Sequence, residues 1–170
     1  MKKKPLVCVV MGSDSDLPVM EKTTSILEEF GVGYEVRISS AHRAAAKTSE
    51  LAKNAAKRGI QVIIAGAGSA AHLAGVIAAE THLPVIGVPI PSSPLKGIDS
   101  LYSIVQMPKG IPVATMAVGD AGAANAGILA VQMLALKNKT LAKKLLEYKE
   151  KLAHNVDIKD KNIQKSGKAK

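Results

Sequence analysis

Three short turns in this chain carry side chains able to bind a phosphate or transfer a proton. They are Gly-Ser-Asp-Ser-Asp at 12–16, Ser-Ser-Ala-His-Arg at 39–43 and Gly-Ala-Gly-Ser-Ala-Ala-His at 66–72. Each turn follows a predicted strand, buried for the first and third turns and alternating for the second, and precedes a helix-like segment. Each should therefore present free backbone N–H groups, which attract anions. If these strands are parallel, the three turns open at one edge of the sheet. The pattern therefore predicts one binding site built from three turns.

Two of these turns contain histidine, the side chain best suited to proton transfer near neutral pH. His42 lies in the second turn, and His72 lies in the third, at a predicted helix start. We interpret His42 as the candidate general acid and base and His72 as a further residue of the same site. The alternative for each is a structural role in which the imidazole only hydrogen-bonds the backbone.

The neighbouring charged residues predict a phosphorylated sugar as ligand. Arg43 lies at the start of the second helix, where its guanidinium can bind a phosphate. Asp14 and Asp16 would repel the same phosphate, so one of them is expected to bind sugar hydroxyls instead. The alternative for the Ser and Asp cluster that contains Ser13 is helix capping alone, since these residue types are favoured N-caps.

Alternating strand and helix patterns predict a three-layer, doubly wound parallel α/β sheet of the flavodoxin type. The loop with three prolines at 89–94 is expected to be irregular, because proline cannot donate to a strand ladder. Five strands are predicted at 6–12, 34–38, 60–65, 84–88 and 113–118, and helices at 18–30, 44–58, 73–81, 97–107, 121–136 and 139–153.

Composition argues against several classes of protein. The net charge is +9, but residues 5–136 carry nine Lys and Arg against ten Asp and Glu, so the basicity belongs to the two ends of the chain. With that distribution, and with one Phe, three Tyr and no Trp, nucleic-acid binding is not expected. No apolar run is long enough to span a membrane. The single cysteine, Cys8, lies within a strand and favours a reducing, cytoplasmic location over a role as nucleophile or in a disulfide.

The C-terminal segment is expected to be distinct from the α/β domain. Residues 1–138 are predicted to form a single nucleotide-binding domain, and residues 139–170 an additional helix followed by a polar, frayed, basic tail. Leucines at 141, 145, 146 and 152 form an apolar stripe on this helix. The stripe could pack against the chain's own sheet or against a neighbouring subunit, and the sequence favours neither. The second possibility would make the protein a homo-oligomer.

Taken in order, the motifs resemble those of one family, the PurE family of purine biosynthesis. The motifs are the three turns above, Ser-Ile-Val-Gln-Met-Pro-Lys-Gly-Ile-Pro-Val at 103–113 and Gly-Asp-Ala-Gly-Ala-Ala-Asn-Ala at 119–126. The resemblance covers roughly residues 5–136. It implies an N5-carboxyaminoimidazole ribonucleotide mutase, which moves a carboxylate from an exocyclic nitrogen to C4 of the imidazole without ATP, metal or biotin. It also implies a homo-octamer whose C-terminal helix reaches a neighbour.

The resemblance assigns expected roles residue by residue. His42 would be the proton shuttle. Arg43 and the serines would bind phosphate, Asp16 would bind ribose, and residues of the third turn would line the carboxylate pocket. The expected substrate-binding residues are Ser13, Ser15, Asp16, Arg43, Gly68, Ser69, Ala70, His72 and Leu73; no metal ligand and no cofactor are expected.

Some positions depart from the family pattern, and other functions stay open. Family members often have Thr-Pro where this chain has Ala44-Ala45, a glycine where it has Ser69, and a proline where it has Ala74. A sister class of the family, which carboxylates the aminoimidazole ribonucleotide directly with CO2, tends to have Lys at the position of Arg43. A non-catalytic phosphosugar-binding or flavin-binding module, or a receiver-like domain, is the alternative of a different class.

Overall fold

The computed structural model describes residues 4–166. Its strands form one parallel sheet in the order β2-β1-β3-β4-β5, so β1 is paired on both edges. This order confirms the predicted flavodoxin-like α/β fold. The strands are β1 Val7–Met11, β2 Tyr34–Ile38, β3 Val62–Gly68, β4 Val85–Ile90 and β5 Ala114–Thr115.

Helices cover the sheet and connect its strands. A short 3₁₀ turn, Asp14–Asp16, precedes the first of them. The helices are α1 Leu17–Phe30, α2 Ala45–Arg58, α3 Leu73–Glu80, α4 Ile98–Val105, α5 Asp120–Ala135 and α6 Lys139–Lys165.

The core lies on both faces of the central strands. Every residue of β1 is buried, as are all residues of β3 up to Ala67. Such two-sided burial is typical of a parallel sheet with helices on each face, and it explains the continuous apolar runs in the sequence. Cys8 lies within this core, and burial raises the pKa of its thiol to about 12, as expected for an unreactive cysteine.

Two strands are longer than the sequence predicted. β3 continues through Gly66 to Gly68, although the sequence predicts a turn there. Gly66 makes room for Met20 of α1, since a Cβ at this position would lie 2.4 Å from the Met20 sulfur. β4 continues through Pro89 to Ile90, although the prolines predicted a loop from residue 89. The Pro89 carbonyl accepts a hydrogen bond from the Gly119 N–H, so the backbone polar positions of Pro89 face the β5 side of the sheet. At this level β5 has already ended. The missing N–H of Pro89 therefore costs no ladder bond.

Two C-terminal predictions also need correction. β5 is an edge strand of two residues instead of the predicted 113–118, and it pairs only with Ile86 and Gly87 of β4. α6 does not end at residue 153 with a frayed tail but continues to Lys165. Its polar second half contains neither glycine nor proline, so nothing in the local sequence terminates the helix. Of the predicted tail, residues 167–170 lie outside the described residues.

The chain divides into two compact units, Met1–Met133 and Leu134–Lys170. The first contains the sheet, α1 to α4 and most of α5. In the second, α6 begins at an N-cap, Asn138, whose side chain accepts hydrogen bonds from the N–H groups of Thr140 and Leu141. Within residues 4–166, no helix is both long enough and apolar enough to cross a membrane.

Candidate active site

A cavity of about 490 Å³ lies at the carboxyl ends of β1 to β4. The turns after β1, β2 and β3 all contribute to its lining, as their places in a parallel sheet predict. Asp14, one of the two carboxylates considered from the sequence, does not line this cavity. The residues expected to act as catalyst or to bind substrate all do: Ser13, Ser15, Asp16, His42, Arg43, Gly68, Ser69, Ala70, His72 and Leu73.

The turn after β1 is fixed by hydrogen bonds within itself. The Asp16 carboxylate accepts from the Ser13 N–H at 3.1 Å, and the Ser13 hydroxyl oxygen accepts from the Ser15 N–H at 3.4 Å, forming a capping box. Asp16 is only 5% exposed. Burial raises the pKa of its carboxyl group, although hydrogen bonds from the backbone of Ser13 and Gly12 oppose the rise. Capping, the alternative for this cluster, is thus observed, but Ser13, Ser15 and Asp16 also border the cavity.

Arg43 connects the turns after β1 and β2. Its guanidinium donates to the Gly12 carbonyl at 3.3 Å and, at 3.5 Å, to the Ser40 hydroxyl. The N-cap position of α2 is Ala44, which supplies no side-chain cap to the first N–H groups of the helix. A cationic side chain therefore lies beside uncapped backbone donors, an arrangement suited to binding an anion.

His42 and His72 are in direct contact. His42 Nε2 and His72 Nδ1 are 2.8 Å apart, and the two rings meet edge to face at 75°. One of the two nitrogens must carry a proton and donate it, so the tautomer of each ring depends on the other. The structural alternative, in which each histidine only bonds backbone, does not describe this pair.

The turn after β3 presents backbone and small side chains instead of charged groups. Gly68 closely approaches the proline-rich loop, because a Cβ at this position would lie 1.8 Å from the Ser92 hydroxyl oxygen. Ser69 adopts a left-handed conformation with φ of 53°, which favours glycine. Leu73 begins α3, and His72 at its N-cap position forms no capping hydrogen bond. This side of the cavity can thus approach a ligand with backbone N–H groups.

The cavity also includes residues that were not selected from the sequence. Ser40 is the most informative, because its hydroxyl accepts from both the backbone and the side chain of Arg43. Its signal in the sequence is its place two residues after a predicted strand and two residues before His42. The other additional lining residues are Gly12, Ala41 and Ala67; Ser92, from the loop after the fourth strand that the sequence predicts at the same edge, lines the cavity as well.

The family described as AIR carboxylase matches residues 6–155. The chain belongs to the AIR carboxylase family. All the turns that line the cavity lie within the matched range, so the cavity belongs to the part of the chain that the family shares.

Relatives and solved structures agree with this family. The N5-carboxyaminoimidazole ribonucleotide mutase of Thermotoga maritima is 56% identical, over 96% of this chain and 94% of that protein. The phosphoribosylaminoimidazole carboxylase of Candida glabrata is 53% identical over 97% of this chain, which spans 29% of that longer protein. A crystal structure of Treponema denticola PurE has a TM-score of 0.84 and 32% sequence identity, and the alignment covers 94% of this chain and 98% of that one.

Proposed function

We propose that this chain is an N5-carboxyaminoimidazole ribonucleotide mutase of purine biosynthesis. The observation that carries the proposal is the 56% identity to a mutase over 96% of the chain. The reaction moves a carboxylate from the exocyclic nitrogen to C4 and gives 4-carboxy-5-aminoimidazole ribonucleotide. Because the same atoms are present before and after, the overall reaction consumes no second substrate.

The proposed mechanism has two steps, each with one proton transfer through His42. In the first, the bond between nitrogen and the carboxylate breaks, CO2 leaves, and His42 protonates the nitrogen. In the second, C4 attacks the CO2 and His42 takes the C4 proton, which restores the imidazole to its starting state. One group can serve both steps because it donates one proton to the nitrogen and then accepts a different proton from C4.

The cavity lining supports distinct roles for its two sides. Arg43, with Ser13 and Ser15, would bind the phosphate, and the buried carboxylate of Asp16 would accept hydrogen bonds from ribose hydroxyls. Backbone N–H groups near Gly68, Ser69 and Ala70 would hold CO2 and the carboxylate, with Leu73 contributing an apolar surface. Fixed donors of this kind stabilise the charge as it moves from nitrogen to carbon.

His72 would be a positioning residue for His42. The 2.8 Å contact between the two imidazoles fixes the ring of His42 and couples the tautomers of the pair. A histidine whose ring and tautomer are set before the substrate binds loses less entropy when it transfers the proton.

A carboxylase that uses the aminoimidazole ribonucleotide and CO2 directly is the second candidate, favoured by the 53% identity to the Candida glabrata carboxylase. The two functions are separated by offering each substrate to the purified chain without ATP. We expect rapid conversion of the N5-carboxy compound at low bicarbonate. Turnover that requires the unmodified ribonucleotide and rises with CO2 concentration would favour the carboxylase instead.

We also propose that the protein is a cytoplasmic homo-oligomer, an octamer by its resemblance to the family, in which residues 139–170 pack on a neighbouring subunit. Leu152, Val156 and Ile163 recur on one side of α6 and are 48%, 65% and 53% exposed in the single chain. Replacing Leu152 and Val156 by lysine should reduce the sedimentation coefficient. An unchanged assembly would show that the apolar surface of Leu152, Val156 and Ile163 is not an interface.

A further inference from the structure

The cavity has a second branch beside the turn after β2. This branch is a hollow of about 380 Å³ that shares Gly12, Ser13, Ser40 and Arg43 with the main cavity. Lys47 lines the branch but not the main cavity. The two spaces therefore meet at Arg43 and differ in the charged groups that surround the rest of each.

The branch is the more cationic of the two spaces. Arg43 and Lys47 line it together with one carboxylate, Asp14, whereas the main cavity pairs Arg43 with Asp16. The Asp14 carboxylate accepts from the Ser13 hydroxyl at 3.0 Å and from the Ser15 N–H at 3.1 Å, so donors of its own turn satisfy part of its charge. A phosphate dianion would be better accommodated in the branch than beside Asp16.

Lys47 is held at this position by the end of β2. It lies in the first turn of α2, four residues after Arg43, and its ammonium donates to the Ile38 carbonyl at 3.1 Å. An ammonium has three N–H donors, and this bond uses one of them. Among the described residues, neither Lys47 nor Arg43 forms an ion pair with a carboxylate, whereas Lys53 farther along α2 pairs with Glu80.

We propose that the 5′-phosphate of the ribonucleotide lies where the branch meets the main cavity, between Arg43 and Lys47, and that Lys47 is a second cationic contact to it. This inference rests on the proposed function and adds a residue that discriminates phosphorylated from unphosphorylated ligand. A phosphate between Arg43 and Lys47 leaves the main cavity to the ribose and the imidazole, where His42 and His72 lie.

Direct binding of two compounds tests the proposal: 4-carboxy-5-aminoimidazole ribonucleotide and the same compound without its phosphate. Calorimetry would compare the unmodified protein with Lys47→Ala, Lys47→Arg and Lys57→Ala, the last being a matched control in the final turn of α2. We expect Lys47→Ala to weaken ribonucleotide binding about tenfold and to leave ribonucleoside binding unchanged, because only the phosphate contact is lost. Lys47→Arg should restore most of the affinity, and Lys57→Ala should bind like the unmodified protein.

Steady-state kinetics supply a second readout. Loss of Lys47 should raise KM about tenfold while kcat stays within about twofold, since the contact is made equally in ground and transition states. Equal ribonucleotide affinity in Lys47→Ala and the unmodified protein, or equal weakening of both compounds, would overturn the inference. If the unmodified protein bound neither compound, the proposed function itself would fail, and this inference with it.

Discussion

The two sides of the cavity are built in different ways. On the β1–β2 side, residues 12–16 and 39–44, charged and polar side chains are locked by hydrogen bonds: Asp16 to the Ser13 backbone, and Arg43 to Gly12 and Ser40. On the β3 side, residues 67–73, the chain presents small residues, a close approach at Gly68 and a left-handed Ser69. The difference suggests that the first side binds the ligand through side chains and the second through backbone.

One contact joins the two sides. His42 belongs to the β1–β2 side and His72 to the β3 side, and their imidazole nitrogens are 2.8 Å apart. If the first side binds the nucleotide and the second holds the carboxylate, a proton carrier is needed where they meet. We therefore expect the largest effect, a loss of activity, from replacing His42. Replacing side chains of the β1–β2 side should have smaller effects on affinity or stability, and a change of backbone strain on the β3 side should have the smallest effect, on stability.

Replacing His42 by asparagine removes the proton carrier but keeps a polar side chain of similar size. We expect kcat to fall about a thousandfold, within the range for loss of general acid–base catalysis, while the affinity for the ribonucleotide stays similar. Stopped-flow or steady-state kinetics would measure the first and calorimetry the second. His82→Asn, an exposed histidine outside the cavity, is the control. A near-normal kcat in His42→Asn would remove His42 from the mechanism.

Arg43→Ala tests the β1–β2 side as the phosphate-binding side. A charge-assisted hydrogen bond contributes roughly 1.5–3 kcal/mol, so affinity for the ribonucleotide should fall about tenfold to a hundredfold. The defect should shrink when the ribonucleoside replaces the ribonucleotide. Arg37→Ala is a suitable control, because Arg37 is paired with Glu35 outside the cavity. Unchanged affinity in Arg43→Ala would place the phosphate elsewhere.

The stability that Asp16 contributes to the β1–β2 side should depend on pH. Burial raises the pKa of its carboxyl group, so the folded protein retains a proton that the unfolded chain, with a pKa of about 3.9, has already lost. The stability that Asp16 contributes is therefore fully present below about pH 4 and declines as the pH rises through the folded-state pKa. Relative to Asp16→Asn, the unmodified protein should lose stability over this interval.

Urea unfolding of both proteins at a series of pH values and one protein concentration would measure this difference. Asparagine can still accept the hydrogen bond from the Ser13 N–H, so the capping contribution is largely retained in the variant. A stability difference that stays constant with pH, or that grows in favour of the unmodified protein, would contradict the direction of the pKa shift.

Ser69→Gly tests the strain on the β3 side. A left-handed residue with a Cβ costs about 1–2 kcal/mol, and glycine removes this cost. Glycine also loses more conformational entropy on folding, which offsets about 0.5–1 kcal/mol of the stabilisation. We expect a net stabilisation of somewhat less than about 1 kcal/mol, seen as a small rise in Tm. Ser69→Ala retains the Cβ and should show no such gain. Equal stability of the glycine and alanine variants would mean that Ser69 is not strained.

Much of the cavity follows from the sequence, because the order of buried runs determines the parallel sheet, and the sheet brings its turns to one edge. His42, Arg43 and Gly68 could thus be placed together although they lie far apart along the chain. The contact between His42 and His72 could not, since it depends on side-chain distances across two turns that no local pattern encodes.

The errors share a related cause. The residue types of Gly66 and Pro89 predict the ends of strands, but β3 and β4 continue because neighbouring elements accommodate them. The polar sequence of the second half of α6 predicts a frayed tail, but polar residues without glycine or proline can continue a helix. Tertiary context decides these positions.

The most direct test of the account is a crystal structure of the chain with 4-carboxy-5-aminoimidazole ribonucleotide bound. We predict the phosphate beside Arg43, the carboxylate against the backbone of residues 68–70, and the His42 imidazole within about 3.5 Å of C4 or its carboxylate. A ligand held by Ser13 and Arg43 whose imidazole ring lies beyond the reach of His42 would contradict the central claim that the three turns form one catalytic site.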